Sequence, residues 1–454
     1  LVSTLLSVGG ALIITLTVVA ALWPSGGWRR LAARLPLLLA VPHVAFATAA
    51  LLFFADGGWL SRLLPFFTPQ VDRYGIGLGL AMALKESAFL LWVVYGLLGE
   101  KRLAGQATVL KSLGYGRWQC LKWLVLPTLL PALSIALLAT AAWSLSAVDV
   151  ALVIGPGNPP TLAVLAWQWL SQGDEIQQAK GALASLVLLL TLGIMALAAW
   201  GVWRLWRRRI PQVQGIRHPQ PRALAGKSFA LLLPLCGVAC ALLLAAAAQN
   251  SQPVSDSVGN SLWLGLCSAS LGAVICLLWL ASGPSRFDRW IWLPLILPAL
   301  PLVDGQYQLA LYTWLDGEWV AVLWGHLLWV VPWMLFILRP AWRARDPRME
   351  LLARTLGWQR GRIFWLVTLP ALTRPLLTAL AVGFSVSIAQ YLPTLWLGGG
   401  RFPTLTSEAV ALSSGGETST LAAQALWQLL LPALFFAATA LLAWLTGRYR
   451  QGLR

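Results

Sequence analysis

Four sets of side chains have types that could do chemistry. Lys85 and Glu86 are adjacent ionisable groups inside an apolar run, and Asp149 lies late in another. Charge is costly in such surroundings, so each is a functional candidate by default. Neighbours on a helix project about 100° apart. Lys85 and Glu86 therefore cannot face each other well, and each needs a partner on another helix or a watery cavity. Gly226-Lys227-Ser228 ends like a phosphate-binding loop. Such a loop needs an earlier glycine where Pro221 stands, and an apolar run follows here. The tripeptide reads as the basic flank of that run. Cys236 and Cys240 share one helix face within apolar sequence and read as packing residues. His43, His218 and His326 are too scattered for a metal site. No catalytic residue, bound cofactor or metal is expected, and the chain is expected not to be an enzyme.

The elements that must position these groups follow from composition. Of 454 residues, 58% are apolar and 11% charged, against about 25% charged in soluble domains. That excludes a soluble enzyme, a disordered chain and a disulfide-stapled module. Runs of about 20 apolar residues match a helix crossing about 30 Å of hydrocarbon. Eleven spans are expected, near 2–23, 35–55, 76–98, 124–154, 181–203, 229–248, 259–282, 291–311, 319–338, 365–397 and 420–446. The runs 124–154 and 365–397 are too long for one straight helix, so part of each is expected in a loop or bent end. The fold class is all-α, a polytopic membrane protein in the lipid bilayer.

One alternating set of loops holds 27 of the 33 basic residues. It comprises 28–34, 100–123, 204–228, 282–290, 339–364 and 447–454, and the bias makes those loops cytoplasmic. The net charge of +17 is thereby explained without a nucleic-acid partner. Asp72, Asp174, Glu175, Asp256 and most other acids lie in the opposite loops. Of the 27 tryptophans, Trp23, Trp28, Trp200, Trp203, Trp206, Trp290, Trp292 and Trp444 lie at span ends, where indoles anchor at the headgroups.

An internal duplication organises the chain. Residues 107–131 (ATVLKSLGYGRWQCLKWLVLPTLLP) parallel 350–375 (ELLARTLGWQRGRIFWLVTLPALTRP). Leu113-Gly114 and Leu126-Pro127 recur 243 residues later as Leu356-Gly357 and Leu369-Pro370. Pro160-Thr161-Leu162 recurs at the same offset as Pro403-Thr404-Leu405, and Val41-Pro42 corresponds to Leu297-Pro298. The expected organisation is a first repeat at 1–210, a basic cytoplasmic linker at 211–228 and a second repeat at 229–454. Both repeats have the same orientation, of about six spans each. The opening span of the second, 229–248, has no counterpart in the first, so an N-terminal span is expected to be missing and twelve would be the full number.

Each repeat sets its glycine segment on the cytoplasmic side, with the composition of two short helices joined at a glycine. Glycine tolerates positive φ, and Pro127 and Pro370 sit near span starts, where a missing N–H costs little. Leu110, Leu113 and Trp118, or Leu352, Leu356 and Phe364, offer an apolar docking face. This pattern resembles the EAA signature of permease subunits in binding-protein-dependent ABC importers, in which a Glu-Ala-Ala start is followed by a Gly and then a Leu-Pro. The second copy matches at Glu350, Leu356, Gly357, Leu369 and Pro370. The first keeps Leu113, Gly114, Leu126 and Pro127 but has Ala107 where the glutamate belongs.

The resemblance implies that each loop is a coupling helix seated in a groove of a separate cytoplasmic ABC ATPase, itself a dimer. ATP would be bound and hydrolysed on that subunit, and its opening and closing would alternate access to a central path. It further implies a periplasmic solute-binding protein, a small-molecule substrate and the inner membrane of a bacterium. The fused double repeat is similar to the permeases of thiamine and ferric-iron importers. Lys85, Glu86, Asp149, Gln390 and Tyr391 are the candidates for lining the translocation path. The competing readings are an ion-coupled secondary transporter with two six-span halves, and a membrane-embedded transferase. The first has no need of matched docking loops, and the second needs clustered acids or histidines that are not seen.

Overall fold

A computed structural model describes residues 1–39, 41–55, 57–64, 66, 72–100, 103–208, 215–218, 224–282, 290–415 and 417–449. Parts of the expected linker (211–214 and 219–223), most of the basic loop 282–290 and the end of the basic tail lie outside them. Among the described residues regular structure is helical, with no β-strand. In hydrocarbon a backbone must satisfy its own N–H and C=O groups, and a helix does so within one segment.

Among the described residues nine helices are long and apolar enough to cross a membrane, or ten when a helix pair bent by 74° counts as one. That pair, Arg360–Ala371 and Thr373–Ile388, corresponds to the over-long run at 365–397. The over-long run 124–154 also breaks, at Ala147, into Leu126–Ser146 and Val148–Ile154. The expected span 291–311 is corrected: it forms two shorter helices, Leu293–Ile296 and Ala299–Tyr312, separated at Leu297-Pro298. Proline disfavours helical geometry in the residue before it, which explains the interruption. Leu224–Ala247 starts inside the stretch expected as linker. Two expected interfacial anchors are corrected as well. Trp23 and Trp28 are 8% and 6% exposed, buried in protein, whereas Trp200, Trp290 and Trp444 are exposed.

Helix boundaries recur along the chain. Ile76–Glu100 and Trp319–Arg343 start and stop 243 residues apart. So do Ala104–Ser112 and Pro347–Thr355, Arg117–Cys120 and Arg360–Ile363, and Leu162–Leu170 and Leu405–Ser413. The π-helical turns Leu121–Val125 and Phe364–Thr368 repeat at that spacing too. Thr161 and Thr404 begin equivalent helices, and each hydroxyl oxygen accepts a backbone N–H three residues on, from Val164 and Ser407.

The chain packs into two compact units. One comprises Leu1–Ser251, Leu295–Leu302 and Val410–Ala423; the other comprises Gln252–Pro294, Val303–Ala409 and Gln424–Arg454. In the first, Val2–Leu22 packs on Ile76–Glu100 and on Leu224–Ala247. The approach depends on small residues: a Cβ on Gly226 would lie 2.2 Å from the Thr17 carbonyl oxygen. Close backbone approach at glycine is how membrane helices gain contact when lipid removes the hydrophobic drive between them. In the second unit, Cys276, Val330, Met334, Leu335, Leu338 and Ala379 form a buried cluster. Phe384 stacks on Phe435 with ring centroids 4.4 Å apart.

Candidate functional site

The two glycine-centred loops are short helical hairpins. Ala104–Ser112 turns into Arg117–Cys120 through Gly114, and Pro347–Thr355 turns into Arg360–Ile363 through Gly357. The two glycines have φ of +89° and +76°, a region that an L side chain enters only with strain. Each hairpin runs directly into its π-helical turn, and Leu126-Pro127 or Leu369-Pro370 follows at the first positions of the next helix. A proline in an α-helix removes an N–H and crowds the carbonyl four residues back. The chain widens just ahead of it: the Leu126 and Leu369 N–H groups donate five residues back, to Leu121 and Phe364.

Leu113 and Leu356 are exposed, as are Val109, Leu351 and Leu352, so each hairpin carries apolar surface outward. Glu350 points inward. Its Oε1 accepts from the Thr368 hydroxyl at 3.1 Å and pairs with the Arg345 guanidinium. The glutamate thus ties the hairpin both to the π-helical turn and to the end of the preceding span. In the first hairpin the equivalent positions are Ala107 and Val125, 0% and 1% exposed. There Lys111 Nζ donates to the Trp23 carbonyl at 3.3 Å, and Arg117 donates to the Ala21 carbonyl at 3.3 Å. Burial lowers the pKa of Lys111, Cys120 opposes the shift and Arg117 adds to it.

Lys85 and Glu86 are 5% and 6% exposed. Glu86 Oε1 meets His43 Nε2 at 2.6 Å, and His43 lies on Trp143 with ring centroids 4.0 Å apart. Lys85 lies within electrostatic reach of Cys240 as well as Glu86. Asp149 sits in the first turn of Val148–Ile154, within electrostatic reach of His43. These four ionisable residues belong to one polar group in the first unit.

In the second unit Gln390 donates to the His326 carbonyl at 3.1 Å. The His326 ring spans Ser387 and Thr394, each at 2.8 Å. Tyr391 is 7% exposed and begins Leu392–Gly398. Gln390 and Tyr391 therefore sit by a histidine-centred network, while Lys85, Glu86 and Asp149 belong to a different one. Sequence reading missed His43, His326, Ser387 and Thr394 as partners. The rarity of histidine within apolar runs is a signal for His43 and His326, and Ser387 and Thr394 carry none. Gly226-Lys227-Ser228 lies within a continuous helix, so it cannot wrap a phosphate.

Residues 228–450 match the family described as binding-protein-dependent transport system inner membrane component. Over all 454 residues the chain is 61% identical to a protein of Escherichia coli (strain K12) named inner membrane ABC transporter permease protein YnjC, and it spans 89% of that relative.

Proposed function

The chain belongs to the binding-protein-dependent transport system inner membrane components, and from that premise we propose that it is a fused double permease. Its two cytoplasmic hairpins would couple it to a separate ATPase dimer. The chain is the inner-membrane permease component of an ABC transporter and a non-catalytic part of it. In such systems the ATPase is a separate subunit, and partners of this family include that ATPase and a solute-binding protein.

The finer reading is two parallel repeats of about six spans, as in thiamine and ferric-iron importers. The recurrence of hairpin, π-helical turn and following helix at one constant spacing supports it above all. Each hairpin holds its glycine at positive φ and carries apolar side chains outward, as a helix seated in a partner's groove requires. Leu113, Gly114, Leu126 and Pro127 form one coupling loop, and Glu350, Leu356, Gly357, Leu369 and Pro370 the other. Lys85, Glu86, Asp149, Gln390 and Tyr391 border the path of a small-molecule substrate delivered by a periplasmic binding protein. ATP-driven closure would favour one access state of the permease over the other, a population shift set by differential binding.

The test is ATPase activity of the partner subunit with this chain in nanodiscs, native against Gly114→Asp and Gly357→Asp. Loss of transport-coupled hydrolysis in both variants supports two working loops. Normal coupled hydrolysis in either variant would overturn the coupling role of that loop.

A further inference from the structure

We propose that Ile216–His218, between the two halves, is a working part of the first coupling loop. It replaces the tie that Glu350 makes in the second loop and holds Arg217 over Gly114. The partner side of this proposal rests on the coupling reading above; the tie itself does not.

Gln119, 8% exposed, is the hub. Its Oε1 accepts the Gly116 N–H at 2.9 Å, inside its own hairpin. The same oxygen accepts the His218 N–H at 3.3 Å, and Nε2 donates to the Ile216 carbonyl at 2.9 Å. One amide thus uses donor and acceptor together to bracket the backbone on both sides of Arg217. The bracketing places the Arg217 side chain on the turn: a Cβ on Gly114 would sit 3.0 Å from Arg217 Cδ and 3.3 Å from Nε. At Gly357 a Cβ would meet nothing within 4 Å among the described residues. The position equivalent to Gln119 is Arg362, whose guanidinium lies over Trp358, 4.7 Å from the ring centroid.

The two hairpins therefore share a backbone but are held by different means. In the second, a charged side chain ties the hairpin to the chain just after it. In the first, Ala107 and Val125 cannot form that tie, and a segment about 100 residues downstream supplies one. An ATPase docking on the first hairpin meets an exposed guanidinium at the turn where the second presents bare glycine. Ile216–His218 is accordingly a positioning element, and it makes the two docking sites distinguishable to a symmetric partner.

Limited trypsin digestion of the full chain in nanodiscs tests the tie without any partner, with cleavage after Arg360 as internal reference. Cleavage after Arg217 should be slow in the native chain and rise at least tenfold in Gln119→Leu. Gln119→Glu keeps the acceptor and loses the donor, so it should fall between them. Should the leucine variant fail to fold, the glutamate variant decides alone. Unchanged cleavage after Arg217 in the folded variant overturns the tie.

With the ATPase subunit assembled, Arg217 should become protected, and Arg217→Ala should lower substrate-stimulated hydrolysis severalfold. An ATPase that binds without protecting Arg217 overturns the partner contact. If no ATPase binds, the coupling reading fails along with that contact, and the digestion of the chain alone still decides the tie.

Discussion

The Thr368 hydroxyl donates to Glu350 across the second hairpin at 3.1 Å; 243 residues earlier the same two positions are the buried pair Ala107 and Val125. Backbone geometry is alike at the two places while the polar junction is not. A hydrogen bond to a charged group is worth about 1.5–3 kcal/mol. Glu350→Ala should therefore free the hairpin from its π-helical turn and reduce coupled ATPase activity roughly tenfold, as an energy of about 1.4 kcal/mol implies. Glu350→Gln, which can still accept from Thr368, should retain more activity. Steady-state hydrolysis in nanodiscs reads both.

The reverse change is predicted to be worse for stability. Ala107→Glu puts a carboxylate at a position that is 0% exposed, opposite no threonine. Leaving a charge buried without its partner costs about 3–5 kcal/mol. Thermal unfolding in detergent should show a large loss, partly recovered by adding Val125→Thr. No loss in the single variant would show that the first hairpin opens readily to solvent.

Gly226 separates a steric effect from helix propensity. Its missing Cβ would lie 2.2 Å from the Thr17 carbonyl, whereas one on Gly9 would meet nothing within 4 Å among the described residues. Gly226→Val should destabilise by roughly 1–3 kcal/mol through overpacking. Gly9→Ala should be neutral or slightly stabilising, since alanine favours the helix. Equal melting temperatures for the two variants would contradict the close helix contact.

His326 holds Ser387 and Thr394 together through both ring nitrogens. Interhelical hydrogen bonds in membranes contribute about 0.6 kcal/mol on average and up to about 1.7. His326→Leu should cost roughly 1–3 kcal/mol over two such bonds, measured by detergent-induced unfolding. Transport should fall with it if Gln390, which donates to the His326 carbonyl, borders the substrate path.

Much of this was legible in the sequence because its causes are local. Hydrocarbon thickness fixes span length, and the spacing of apolar runs placed most of the membrane helices. Glycines marked turns that need positive φ, and the repeated Gly-to-Pro spacing identified both hairpins. What remained hidden depends on contacts between residues far apart in the chain. Pairing of His43 with Glu86, of Gln119 with Ile216 and of Gly226 with Thr17 leaves no periodic trace, because each depends on which helices become neighbours. The breaks in the over-long runs were foreseen, but not the division of 291–311, where Pro298 outweighs an apolar run long enough to span. Local chemistry therefore determined the elements and the family; only packing decided which charges meet and how each hairpin is held.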